Sequence, residues 1–363
     1  MKLGRCGWLV VVSFLSAGGP AAAFAAPNAA ALLDEGQKQL EKGNVAAALA
    51  AFTEAGKLDP RDGRAPYLRG VALEKKGDAA GAEAAYRQAI GLSPQLGEAH
   101  NNLGGLLLGK GDTAGAEKEL VTAAKVDPRN ADARFNLGVL YDGADRAKDA
   151  VAAYREASKL RPADVSIHVN LGAALRRSGD TKAALAELEE ATRRGPTSAP
   201  AWANLGLLLS EDQRYDDAKG ALEKAVKLDP SYAIAWAGLG RVELRRKQPA
   251  AASAALGKAR KLAPTNVTYA ADACKAAVDA APGGDGSVKE CRAALALDGH
   301  NALARYMLAK TLVARGDCKT AKTEVAAFTA APAVKEEAKR GATALLASCR
   351  DGVGVPGAGK AKP

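Results

Sequence analysis

Small and large apolar residues are distributed along this chain in a pattern that repeats every 34 residues. Glycine or alanine stands at three fixed positions of each repeat. Larger apolar side chains lie between them at helical spacing, such as Leu137, Tyr141, Tyr154 and Leu160 in the fourth repeat. Small residues at fixed depths let two antiparallel helices approach closely. The pattern therefore predicts an array of helical hairpins. The repeating glycines are Gly36, Gly70, Gly104, Gly138, Gly172, Gly206 and Gly240, and an alanine follows 12 and 19 residues after each of them.

Turn residues mark the middle of a repeat and proline marks its end. Gly77-Asp78, Gly111-Asp112 and Gly179-Asp180 stand at mid-repeat, with Gly43-Asn44 in the first. Glycine can adopt the left-handed conformation that closes the first helix (helix A), and the Asp or Asn after it can cap the second (helix B). Proline then prevents helix B from continuing. Each repeat is therefore predicted to be helix–turn–helix, with no strand. The prolines are Pro60, Pro94, Pro128, Pro162, Pro196, Pro230 and Pro264.

This pattern resembles the tetratricopeptide repeat family, whose signature has the same period. The resemblance implies an all-α, right-handed α-solenoid (superhelix). It covers seven repeats over 29–266, a degenerate eighth and a ninth over 267–333, and a capping helix over 334–350. It also implies that the A helices line a concave wall with positions 2, 5, 6, 9, 12 and 13 of each repeat. The sixth repeat carries the signature as Trp202, Leu205, Gly206, Ala218, Leu222, Ala225 and Pro230.

The first 25 residues read as a secretory signal peptide. Lys2 and Arg5 form a charged start, an apolar stretch follows over 8–17, and Ala23-Phe24-Ala25 is a cleavage site. We expect an exported, periplasmic protein. The alternatives are secretion or anchoring by an uncleaved signal. The last residues, 351–363, are rich in Gly, Pro and Lys and are expected to be disordered.

Positive charge is concentrated in the seventh repeat. The chain has a formal net charge of +10, of which Lys2 and Arg5 supply two. Residues 233–266 contain seven basic residues and one acidic residue, whereas 199–232 contain four and six. Such a block is either a solvated face or a partner site. Nucleic acid is not expected as a partner, because aromatics are only 4% of the chain and do not interleave the basic residues.

The four cysteines after the signal peptide all lie in the last third of the chain, and an even number in an oxidising compartment suggests disulfides. Three pairings are possible. The repeat register favours Cys274 with Cys291, on facing helices of the eighth repeat, and Cys318 with Cys349 of the capping helix. Free buried thiols are the alternative. We expect Pro282-Gly283-Gly284-Asp285-Gly286 to shorten helix B of the eighth repeat, which would explain why this end needs cross-links.

The sequence predicts no catalytic site, metal site or cofactor. His100 and His168 occupy the fourth position of their repeats, where Trp202 and Trp236 stand elsewhere, so they are expected to fill a packing position. Two glycine-rich matches to nucleotide-binding motifs fall in the terminal tail, without the strand and helix that such motifs need.

Asparagine recurs at position 6 of four consecutive A helices. An amide carries both donors and an acceptor, so a series of them can pair with the main chain of an extended peptide. The series resembles the asparagine ladder in the repeat arm of the O-linked N-acetylglucosamine transferases. The alternative is that these amides bond between neighbouring repeats. The candidate peptide-binding residues are Asn102, Asn136, Asn170, Asn204, Arg176, Arg177, Arg241 and Arg245.

Together these features predict a non-enzymatic scaffold of the bacterial envelope. It would bind an extended segment of another protein in its concave groove, and the arginines would favour an acidic segment. Assembly of secretion, pilus, motility or polysaccharide-export machinery is the expected setting. The alternative is a polysaccharide-binding or cell-wall-enzyme accessory protein. Sugar sites usually stack on exposed aromatics, and the groove positions offer only Tyr67 and Phe135.

Overall fold

The computed structural model describes residues 28–349, and the predicted signal peptide and terminal tail lie outside them. Within this range every regular element is helical and no strand is present. Contacts divide the chain into two compact units with a boundary between Leu106 and Leu107. We call residues 28–106 the N-terminal unit and residues 107–349 the C-terminal unit, and each is described by itself.

The N-terminal unit consists of two helical hairpins and the start of a fifth helix. The two helices of each hairpin pack on one another, and helix B of the first hairpin also contacts helix A of the second. The core of the first hairpin is built around Leu33 and Phe52, which are 4% and 1% exposed. The helices are α1 Ala29–Glu41, α2 Val45–Leu58, α3 Arg64–Lys76, α4 Ala79–Leu92 and α5 Gly97–Gly109, and the unit boundary falls within α5.

The C-terminal unit continues the same arrangement. Its A helices are the odd-numbered members from α7 to α17, and each packs on the B helix that follows it and on the B helix that precedes it. These contacts confirm the predicted all-α solenoid class. The helices are α6 Thr113–Val126, α7 Ala131–Gly143, α8 Ala147–Leu160, α9 Val165–Ser178, α10 Thr181–Arg194, α11 Ala199–Glu211, α12 Tyr215–Leu228, α13 Ala233–Arg245, α14 Pro249–Leu262, α15 Val267–Ala280, α16 Asp285–Leu297, α17 Ala302–Arg315, α18 Cys318–Ala330 and α19 Glu336–Leu345.

The repeating glycine of helix A lies directly against a large side chain of helix B in the hairpins for which the contact is resolved. A Cβ placed on Gly138 would lie 2.4 Å from Cε1 of Tyr154, whose ring is 1% exposed. The same relation joins Gly172 to Leu188 and Gly240 to Leu256 in later hairpins. One large side chain of helix B therefore occupies the space that each glycine leaves, which explains the period of small and large residues.

The turns between the two helices of a repeat follow the predicted chemistry, with exceptions. Gly77, Gly111 and Gly179 have positive φ angles, and the Asp after each accepts a hydrogen bond from the first turn of helix B. The prediction that Asn44 caps α2 through its side chain is wrong, because its amide donates to Gln39 Oε1 instead.

Three repeats make the same turn without glycine. Asp145, Gln213 and Lys247 have φ angles of 56°, 62° and 58° at the equivalent position. The hairpin geometry therefore imposes the left-handed conformation even on residues with a Cβ, at some conformational cost.

The eighth repeat departs from the prediction. We expected its Gly/Pro-rich segment to remove the first turn of helix B. Instead α16 begins at Asp285 within that segment and has 13 residues, against 14 in α14. Helix A of this repeat is one residue longer than helix A of the seventh repeat, since α15 has 14 residues and α13 has 13. The hydroxyl of Ser287 donates to the carbonyls of Ala277 and Ala281, which holds the longer turn.

The capping helix is shorter than the predicted 334–350. It runs over Glu336–Leu345 and continues as a single 3₁₀ turn, Leu346–Ser348. Ala342 is the buried residue of this helix, and Leu345 and Leu346 pack against the small core that Ala342 forms with Ala309 of α17 and with Val325 and Phe328 of α18. Because this helix buries so little surface, packing alone does not hold it firmly in place, and it needs a further connection to the repeats.

Candidate functional site

Side chains of three consecutive A helices in the C-terminal unit line an open groove of about 690 Å³. Those from α9, α11 and α13 stand at positions 6, 9, 12 and 13 of their repeats, which are among the positions that the family resemblance assigns to the concave wall. We call this surface the basic groove. It is lined by Arg176, Leu207, Ser210, Glu211, Gln213, Tyr215, Gly238, Arg241 and Arg245.

Two of the three arginines in the basic groove are held by carboxylates. Arg176 Nη1 donates to Glu211 Oε1 at 2.5 Å, and Arg241 Nε donates to Asp272 Oδ2 at 2.7 Å. Each pair joins an A helix to the A helix of the next repeat. Arg245 has no hydrogen-bond or ion-pair partner among the described residues. The groove thus contains two fixed guanidinium groups and one whose charge is uncompensated.

Arg177 does not join this group, contrary to the sequence prediction. It forms an ion pair with Asp142 of α7 and lines a separate depression with Asp145 and Arg146. Asp142 also accepts a hydrogen bond from the Tyr154 hydroxyl at 3.2 Å. Burial, followed by the nearby Asp142 carboxylate, raises the pKa of Tyr154, so the phenol remains a neutral donor. Arg177 is therefore placed by the packing of the fourth and fifth repeats.

Two of the asparagines of position 6 bond within their own helices. The side-chain amides of Asn170 and Asn204 donate to the carbonyls of Ser166 and Pro200, four residues earlier, at 2.9 and 3.0 Å. Their Oδ1 atoms accept no hydrogen bond from the described residues. Asn136 stands at the same position of α7 and is half-buried. Each of the two detailed amides thus keeps one donor and its acceptor for a ligand.

Asn102 lies in the N-terminal unit and has a different environment. Its amide donates to the Tyr86 hydroxyl at 3.4 Å, and its Oδ1 accepts a hydrogen bond from the Asn101 amide at 3.1 Å. Burial raises the pKa of Tyr67, and the Glu98 carboxylate adds to the effect, whereas a hydrogen bond with Asn102 opposes it. Asn102 therefore belongs to a local polar cluster of this unit.

A second groove, of about 260 Å³, lies within the N-terminal unit beside that cluster. Its charged side chains are Asp34, Arg64 and Glu98, and Arg64 is ion-paired to Asp62 at 2.7 Å. The remaining charges are acidic, unlike those of the basic groove. It is lined by Ala30, Leu33, Asp34, Gln37, Arg64, Tyr67, Leu68, Leu96 and Glu98.

The side chain at position 4 has a hydrogen-bonding role that the sequence analysis missed. In the four repeats that carry His or Trp there, a ring nitrogen lies close to the carbonyl of the proline six residues earlier. The distances are 2.8 Å from His168 Nε2 to Pro162 O and 2.9 Å from Trp202 Nε1 to Pro196 O. These carbonyls follow the end of helix B and have no intrahelical partner. His100 and Trp236 contact Pro94 and Pro230 in the same way.

His168 makes a second polar contact in addition to the one with the proline carbonyl. It is 6% exposed, and its Nδ1 lies 2.7 Å from Glu187 Oε2 while Nε2 faces the proline carbonyl. We predict that His168→Phe lowers the free energy of unfolding by about 2 kcal/mol, because it removes both polar contacts of a buried ring, the one with Glu187 and the one with the Pro162 carbonyl. Trp202→Phe removes one donor at an exposed site and should cost about 0.5–1 kcal/mol. Denaturant unfolding of both variants tests this, and equal losses would contradict the role assigned to His168.

The C-terminal cysteines are bonded in the pairs favoured by the repeat register. Cys274 is joined to Cys291 across the eighth hairpin, and Cys318 at the start of α18 is joined to Cys349 after α19. The first bridge is fully buried within the core of these repeats. The second attaches the end of the capping helix, which has little buried surface of its own.

Within residues 28–349 no three His, Cys, Asp or Glu side chains are grouped in a way that could hold a metal ion. None of the helices described has the length and apolar character that a membrane span requires.

Helical hairpins that stack through their A helices and leave an open groove define an α-solenoid scaffold. The chain belongs to the tetratricopeptide repeat family. One family model with that description matches residues 33–96, 101–165 and 203–267, and a second matches 143–207. Members of this family bind other proteins or peptides, so the chain is a protein-interaction scaffold.

Solved structures with low sequence identity share this fold. The Cut9–Hcn1 structure is 17% identical with a TM-score of 0.58, and the match covers 78% of this chain and 55% of that one. A tetratricopeptide repeat protein from Parabacteroides merdae is 14% identical with a TM-score of 0.53, covering 69% and 98%. Pseudomonas aeruginosa pilF is 19% identical with a TM-score of 0.52, covering 57% and 94%. A comparison with curated proteins found no match.

Proposed function

We propose that this chain binds an extended segment of another protein through the A helices of its C-terminal unit. The observation that carries the proposal is the convergence of Arg176, Arg241 and Arg245 on one open groove. Side chains that served packing alone would be covered, whereas these remain partly exposed, at 45% for Arg241. A groove rich in donors suits the carbonyl and carboxylate groups of an extended chain.

The asparagines of position 6 extend this surface along the same helices. Asn170 and Asn204 are fixed in orientation by their helix carbonyls, so each can present its remaining donor and its acceptor to a peptide main chain. Asn136 occupies the equivalent position. Asn102 and the groove of the N-terminal unit offer a second, more acidic contact surface. Binding through the main chain would make this part of the interaction tolerant of the partner's sequence.

We propose further that the protein acts after export, in the bacterial envelope. The signal-peptide pattern of the first 25 residues and the two cystines support an oxidising compartment. Sequencing the N-terminus of the protein from a periplasmic fraction tests this, and the mature chain should begin at Ala26. A protein retained in the cytoplasm with free thiols would contradict it. Assembly of secretion, pilus, motility or polysaccharide-export machinery remains the proposed setting.

Capture of partners from an envelope extract tests the binding surface. We expect the double variant Asn170→Ala/Asn204→Ala to capture several-fold less of any partner than the wild type, because each site would lose its main-chain contact. The matched control is Lys227→Ala/Lys261→Ala, which changes exposed side chains on the B helices α12 and α14. Equal capture by the asparagine variant and the control would remove the amides from the proposal. Retention of polysaccharide with no protein would favour a sugar-binding role.

A further inference from the structure

The basic groove is lined at one point by a residue without a side chain. Gly238 stands at position 6 of α13, where three preceding A helices of the C-terminal unit carry asparagine. A Cβ at this position would lie 2.9 Å from Cδ2 of Leu207 and 2.9 Å from Cδ2 of Leu222, so these leucines already fill the place of a side chain. An asparagine at 238 would therefore have to displace them, and Leu207 itself lines the groove. The glycine interrupts the amide series, and at this point the groove is bounded by main chain and by the arginines.

The three guanidinium groups of the groove retain most of their donors. A guanidinium has five N–H groups. Arg176 uses Nη1 for Glu211 and Arg241 uses Nε for Asp272, and neither makes a further hydrogen bond to the described residues. Arg245 makes none with them. Arginine donors in a fixed fork match the two oxygens of a carboxylate, and such charge-assisted bonds are the strongest that side chains form.

The net charge of the groove restricts how much negative charge a bound ligand can carry. Glu211 and Asp272 neutralise two of the three arginines, so one positive charge remains, contributed by Arg245. A carboxylate would neutralise it. A phosphate monoester, which carries close to two negative charges at neutral pH, would leave an excess beside Glu211. The two fixed arginines also need no rearrangement on binding, which reduces the entropy lost.

We propose that the basic groove is a subsite for one carboxylate side chain, a glutamate or an aspartate, within the extended segment of the partner. The carboxylate enters the open groove beside Gly238 and accepts hydrogen bonds from Arg245 and from the unused donors of Arg176 and Arg241. The flanking main chain of the partner contacts the asparagines of the preceding A helices. This inference rests on the proposed function and names the residue type that the groove selects.

Selection of peptides by the full chain tests this directly. Peptides from a random displayed library are selected on the purified, oxidised protein, and the tightest is synthesised as the acidic peptide and as its Glu→Gln or Asp→Asn analogue. We expect an acidic residue to be enriched at one position. The neutral analogue should bind the wild type about tenfold more weakly, which is the loss of one charge-assisted hydrogen bond.

Variants of the protein separate the subsite from the rest of the groove. Arg245→Gln should weaken the acidic peptide about tenfold and leave the neutral analogue nearly unchanged. Gly238→Asn should weaken both peptides, because the new side chain displaces Leu207, which lines the groove. Its thermal unfolding shows whether the fold is retained, and Arg245→Gln tests the subsite independently if it is not. Lys227→Gln, on the exposed face of α12, is the control and should change neither affinity.

The outcomes distinguish the subsite from the proposed function. Selected peptides without an acidic residue, whose binding still depends on Asn170 and Asn204, would overturn the carboxylate subsite and leave peptide binding in place. A phosphoserine analogue that binds more tightly than the acidic peptide would overturn the choice of carboxylate. Failure of the full chain to select any peptide would overturn both.

Discussion

Gly138→Ala is expected to lower the free energy of unfolding by about 2–3 kcal/mol, the upper part of the range for overpacking a core. The added Cβ would lie 2.4–2.7 Å from three ring atoms of Tyr154. The ring cannot retreat easily, because Tyr154 is 1% exposed and its hydroxyl is bonded to Asp142. The helices α7 and α8 would have to separate, and contacts with the neighbouring hairpins would weaken with them.

The matched control is Gly220→Ala, a helical glycine of the same unit with no atom within 4 Å of an added Cβ. That change should stabilise the protein by about 0.5–1 kcal/mol, because alanine loses less conformational entropy in a helix. Chemical denaturation of both variants gives the comparison. Tolerance of Gly138→Ala would mean that the close approach of α7 and α8 is not required for stability.

The second large effect is expected at the eighth repeat. Cys274→Ala/Cys291→Ala should lower the free energy of unfolding by about 3 kcal/mol, because the bridge spans 17 residues and constrains the unfolded chain. Both sulfurs are also fully buried in the core that α15, α16 and α17 share. Removing them leaves small voids in this core, which adds to the loss.

Cys318→Ala/Cys349→Ala is the informative comparison, since its bridge spans 31 residues but holds only the terminal helix. Hydrogen exchange should rise over Glu336–Leu345 in that variant and remain low in α15 and α16, whereas the first variant should loosen α15 and α16. Mass mapping without reduction checks the pairing itself. A peptide joining Cys291 to Cys318 would show that the pairs are wrong.

Much of the fold was predictable from the sequence, because the same pattern of small, apolar and turn residues recurs from repeat to repeat. Proline and glycine limit the backbone directly, so the helix ends follow from residue type. The turns at Gln213 and Lys247 were not predictable in this way, because there the packing of the hairpin imposes a conformation that these residues do not favour. The eighth repeat shows the converse. Its Gly/Pro-rich segment favours a broken helix, but bonds from Ser287 and the buried cystine hold α16 close to full length.

The sequence predicted which face of the A helices carries the candidate site, but not which partner each side chain contacts. The repeat position placed Arg176, Arg241 and Arg245 on one wall, and the structure brings them to one groove. The same reasoning grouped Arg177 with them, but Arg177 lines a separate depression and pairs with Asp142 of the preceding repeat, because a long side chain follows its nearest carboxylate. Ion pairs between repeats depend on residues about 30 positions apart, and the periodicity of apolar residues carries no information about them.

We expect the A-helix wall of the C-terminal unit to be the surface that contacts a partner. A photo-crosslinking amino acid placed at Ser210, which lines the basic groove, is compared with one at Lys227, on the exposed face of helix α12. In living cells a covalent adduct with an envelope protein should form from position 210 and none from position 227. Adducts from position 227 without any from position 210 would contradict it.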